Sequence, residues 1–141
     1  MHPALPVREL LAHDSRADGR GQDHGGDRVA AVGCDPGQQV FQVLHGANAD
    51  VVVNGHDHDY ERFAPQTPDG VADSAHGIRE FVVGTGGKTH RPFGEPKPNS
   101  ELRDATAFGI LRLTLKPNSY DWQFIPEEGK SFTDSGSGAC H

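Results

Sequence analysis

The sequence predicts an α/β fold, rich in strand and with one short helix, and three observations predict it. A stretch with helical spacing over residues 35–46 leads into Val51-Val52-Val53, a β-branched run without alternation of the kind that lies in a covered strand. A second run, Ile78-Arg79-Glu80-Phe81-Val82-Val83, ends in Gly84-Thr85-Gly86-Gly87. Further on, Leu111, Leu113 and Leu115 alternate on one segment and Tyr120, Trp122 and Phe124 on the next, which reads as a hairpin turning at Lys116-Pro117-Asn118-Ser119.

Taken in order, residues 1–34 are expected to be disordered, because residues 14–28 are polar and glycine-rich with no apolar periodicity. Residues 35–141 form the folded part. Asp35 suits the helix cap and Pro36 its first turn; Val40, Val43 and Leu44 recur at helical spacing, and Gly46 ends it. Residues 49–54 form a central strand covered on both faces, and Gly55 stops it. Residues 62–77, with Pro65, Pro68 and Gly70, are a surface excursion, and residues 88–103, with Pro92, Pro96 and Pro98, are irregular. Residues 133–141 show no packing pattern and are expected to be an exposed end.

Composition narrows the function classes. At 141 residues and 34% hydrophobic content the chain forms one domain with a thin core. A net charge of -7, from 20 acidic and 13 basic residues, argues against a nucleic-acid or anionic-membrane partner and favours small molecules or metals. No run approaches the roughly 20 apolar residues that span a bilayer. The first residues hold only a short Leu10-Leu11 step and no signal-peptide core, so localisation stays open. Cys34 and Cys140 are too few and too far apart for a disulfide framework or a cysteine zinc site.

The chemistry lies in Asn54-Gly55-His56-Asp57-His58-Asp59-Tyr60-Glu61-Arg62, just past the carboxyl end of the valine strand, where sites gather in open α/β sheets. Two histidines one residue apart in extended backbone point the same way, so both imidazoles reach one metal or two adjacent metals. Gly55 allows the turn that aims them. Two solvated histidines are the bland alternative, and a glycine delivered by an apolar strand weighs against it.

Gly55-His56-Asp57-His58 followed by Tyr60-Glu61-Arg62 resembles the last signature of the calcineurin-like metallophosphoesterases, in the extended form of purple acid phosphatases and their bacterial relatives. Phe63-Ala64-Pro65-Gln66, residues 77–87 and Ser119-Tyr120-Asp121-Trp122 look similar to the same bacterial branch. The resemblance implies the C-terminal half of an αββα sandwich that holds two divalent or trivalent metal ions, iron, zinc or manganese, at the strand ends. It implies His56 as ligand to one ion and His58 to the other, with a small phosphate ester as substrate. Two metals about 3.5 to 4 Å apart clamp a phosphate and supply the attacking hydroxide. Asn54, Gly55, Tyr60, Glu61 and Arg62 are expected to brace the ligand loop, and Gly86 to belong to a substrate loop.

A complete family member also carries Asp-x-His, Gly-Asp and Gly-Asn-His motifs well upstream, a set this chain lacks. Met1-His2-Pro3 resembles a further ligand stretch, which makes His2 a third candidate, although the ligand position in that pattern falls on Met1. The sequence therefore reads as a truncated or frameshifted piece of a metal-dependent phosphoesterase, weakly active or inactive alone. The alternatives are a noncatalytic binding module that keeps the scaffold, and an amidohydrolase, whose barrel needs about 200 residues or more.

Overall fold

The computed structural model describes residues 36–141; His2, Cys34, Asp35 and the disorder or frameshift expected over residues 1–34 lie outside the described residues. The chain begins with α1 (Pro36–Gly46), followed by β1 (Val51–Asn54), β2 (Tyr60–Phe63), β3 (Arg79–Val83), β4 (Ser100–Asp104), β5 (Gly109–Lys116), β6 (Ser119–Pro126) and β7 (Ser135–Ala139). The helix ends where expected, its last turn running on through bonds from Ala47 and Ala49 N–H to the Leu44 carbonyl. Its apolar spacing is not matched by cover, since Val43 is 72% exposed. No helix among the described residues is long and apolar enough to cross a membrane.

Two sheets form. One runs β1-β3-β2-β4, with β1 parallel to β3 and the remaining pairs antiparallel; the other is the antiparallel β5-β6-β7. The predicted hairpin is β5 and β6, paired through Leu113↔Trp122 and Leu115↔Tyr120. Four expectations are corrected. The valine strand is not central: among the described residues β1 lies at a sheet edge with β3 as its neighbour. The excursion over residues 62–77 starts later, because Tyr60-Glu61-Arg62-Phe63 is a strand inserted between β3 and β4. The irregular stretch over residues 88–103 gives way at Ser100 to β4, whose Ser-Glu-Leu-Arg-Asp sequence carries little β signal and is set by pairing with β2.

The fourth correction concerns the end of the chain, where Ser135-Gly136-Ser137-Gly138-Ala139 is a strand on β6. Its glycines are the reason. A Cβ on Gly136 would stand 2.3 Å from the Trp122 ring, and one on Gly138 2.3 Å from the Tyr120 ring, so the aromatic residues of β6 lie flat across backbone that carries no side chain.

The core sits between the two sheets. Tyr60 and Phe81 from the first sheet meet Tyr120, Trp122 and Phe124 from the second, with Ala107 between them and Val51, Val53, Leu111 and Leu113 packed around. Fully burying side chains of this size contributes about 2 kcal/mol each. The Tyr60 and Phe124 rings are 4.8 Å apart and tilted, and Phe81 meets Trp122 edge-on at 5.5 Å. With two packed sheets and one helix, the architecture agrees with part of a sandwich and leaves the carboxyl ends of β1 and β3 open to the loops that follow them.

Candidate metal centre

β1 ends at Asn54, and the chain then bends through residues 55–59 before β2. His56 sits in the left-handed region at φ 78 and is exposed; His58 is half-buried. The pair is thus carried by a bend, not by the extended backbone that the His-x-His spacing predicts, so the same-side argument from strand geometry does not apply.

His58 is oriented by a second loop. Its Nδ1 lies 3.0 Å from the Thr89 carbonyl oxygen, and the His58 carbonyl accepts from Arg91 N–H at 3.3 Å. A carbonyl only accepts, so Nδ1 carries a proton, and in the neutral ring Nε2 keeps its lone pair, the tautomer in which histidine ligates through Nε2. The loop can come this close because residue 84 is glycine. A Cβ there would stand 1.7 Å from the Asp57 carbonyl oxygen, and Gly84 N–H donates to the Asp59 carbonyl at 2.9 Å. Gly86, the glycine singled out by sequence, is exposed and has open space before it.

Two buried oxygens beside the loop have no hydrogen-bond partner among the described residues: Asn54 Oδ1, whose own amide nitrogen donates to Glu80, and Asp59 Oδ1. Burial first, and then the Asp57 and Glu61 carboxylates, push the Asp59 carboxyl up to about 6, while His58 and His90 pull it down. Orphaned buried acceptors call for a donor or a cation. By chemistry, each oxygen is of the kind that a metal ion takes as a ligand. Among the described residues, no three His, Cys, Asp or Glu side chains are gathered as a metal-holding group.

Tyr60 and Arg62 point the other way, into the core. Both donate to Asp134 Oδ2 at 2.7 Å, and Trp122 Nε1 donates to the same oxygen at 3.2 Å. Asp134 is 7% exposed, and the Arg62 guanidinium also lies over the Trp122 ring. Glu61 accepts from Ser100 Oγ and stands 3.9 Å from Arg103 on β4. The Tyr-Glu-Arg triplet therefore locks β2 into both sheets, which fixes where the histidine bend emerges. Asp134, a single acid at the head of a Gly/Ser tail, carries no signal in the sequence. Thr89 acts only through its backbone, though its place after the glycine loop was a usable signal.

No family model matches the chain, and no curated protein sequence does. Among solved structures, the fold is similar to that of a purple acid phosphatase from yellow lupin (Lupinus luteus) seeds, with a TM-score of 0.61 and 23% identity over 70% of this chain. The likeness is one of fold, to part of that phosphatase. The chain spans 19% of the length of the lupin protein.

Proposed function

We propose that this chain supplies the carboxyl-terminal, ligand-bearing part of a two-metal phosphoesterase site, with His56 and His58 as its metal ligands. The observation that carries the reading is the bond between His58 Nδ1 and the Thr89 carbonyl, which leaves Nε2 free as a ligand. The orphaned Asn54 Oδ1 and Asp59 Oδ1 support it, because each is a buried acceptor without a donor among the described residues, close in sequence to the two histidines. The bound ions would supply Lewis acidity and an activated hydroxide for hydrolysis of a phosphate ester. The chain's own contribution is placement: the core around Tyr60 and Arg62 fixes β2, and the Gly84 contact holds the loop against His58.

Among the described residues, two histidines and flanking oxygens make an incomplete ligand set, so the remaining ligands would come from outside residues 36–141. Equilibrium dialysis of the full chain with Zn2+ or Mn2+ tests this. Saturable uptake that is lost in His56→Ala and His58→Ala, with only weak turnover of a generic phosphomonoester, is the expected result. A chain that takes up no metal fits the noncatalytic module instead.

A further inference from the structure

The loop after β3 is anchored at both ends and open in the middle. Thr85, 1% exposed, donates through Oγ1 to the Gly109 carbonyl at 2.9 Å, and its own carbonyl accepts from Gly109 N–H at 3.1 Å. His90 meets the Ala107 carbonyl at 3.2 Å and stacks on Phe108 with ring centroids 4.1 Å apart. Between these anchors Gly86, Gly87, Lys88 and Thr89 are exposed.

This open stretch has the chemistry of an anion site. The N–H groups of Gly86, Gly87 and Lys88 donate to no acceptor among the described residues. Gly87 lies at φ 120, and nothing stands within 4 Å of where a Cβ on Gly86 or Gly87 would be. Successive free N–H groups in such a turn form a concavity suited to an anion. Lys88 and Arg91, both exposed, meet no carboxylate among the described residues, a condition they share with Lys97, Arg112 and Lys130, but only these two stand in this loop. In an acidic chain, these two cations and the N–H groups beside them bring positive charge together at one loop. The loop also touches the histidine bend at two points, through the Thr89 carbonyl and Arg91 N–H.

We infer that residues 86–91 cradle a tetrahedral oxyanion, the phosphoryl group of a phosphate ester, and present it beside His58. The choice of a phosphoryl group rests on the phosphoesterase reading; the anion site itself does not.

The test uses the full chain with a metal chelator present and inorganic phosphate as probe, read by 31P NMR or calorimetry. Wild type binds phosphate, and Lys88→Ala/Arg91→Ala binds it about tenfold more weakly, as expected for loss of charge-assisted contacts. Gly86→Ala, which places a methyl group in the open approach, also weakens binding without burdening the fold. His56→Ala/His58→Ala keeps phosphate binding in chelator, which separates this inference from the metal proposal. Absence of phosphate binding by wild type, or equal affinity in the Lys88/Arg91 variant, overturns it.

Discussion

The Tyr60 hydroxyl donates to Asp134 Oδ2 at 2.7 Å across 74 residues of sequence, joining the strand after the histidine bend to the segment that leads into β7. Arg62 and Trp122 share that oxygen, so one carboxylate closes the interface between the two sheets. Replacing Asp134 with Ala leaves the Arg62 guanidinium with its Nε partner gone, and two further donors without their acceptor, in a mostly buried place. The expected loss is about 3 kcal/mol or more of folding stability, measured by denaturant unfolding with Trp122 fluorescence. A loss below about 1 kcal/mol, the range of surface pairs, would show that the network is incidental.

Gly84 tests the link between the two loops. A methyl group there collides with the Asp57 backbone, so Gly84→Ala must displace either the histidine bend or the loop over residues 84–91. Metal uptake is expected to fall by about tenfold or more, in the range seen when the partners of metal ligands are altered. Gly86→Ala has no such neighbour and leaves metal uptake unchanged. Equal effects of the two substitutions would contradict the packing argument.

Both tyrosines are pushed above the ordinary tyrosine range, Tyr60 by burial and then by its bond to Asp134, Tyr120 by burial. The unfolded chain ionises them near pH ~10, while the folded chain holds their protons to higher pH. Above about pH 10 the unfolded state therefore binds fewer protons, and stability falls as pH rises. The chain has two tyrosines, so absorbance at the tyrosinate band reports on them alone. That band is expected to appear together with unfolding. Ionisation with a midpoint near 10 in a chain still folded by Trp122 fluorescence would contradict it.

The elements legible in sequence are those whose pattern matches their packing. The hairpin of β5 and β6 announces itself because Tyr120, Trp122 and Phe124 alternate toward a real core. β7 does not, because its role is to offer side-chain-free backbone to Trp122 and Tyr120, and glycine and serine there read as a tail. β4 is hidden for a related reason: its charged residues answer β2 and β3, with Glu101 paired to Arg62 and Arg79, and Arg103 to Glu61. At the site, the Gly-His-x-His motif located the bend, but neither the left-handed backbone of His56 nor the hold of Thr89 on His58 is encoded by spacing.

The central claim is that His58 is held by its Nδ1 proton so that Nε2 faces a metal. Nitrogen-15 NMR of the histidine rings during a Zn2+ titration tests it directly. Metal-free His58 is expected to be the Nδ1–H tautomer, and zinc is expected to shift Nε2 while Nδ1 stays protonated against Thr89. An Nε2–H tautomer in the metal-free chain, or rings of His56 and His58 that do not respond to zinc, would contradict it.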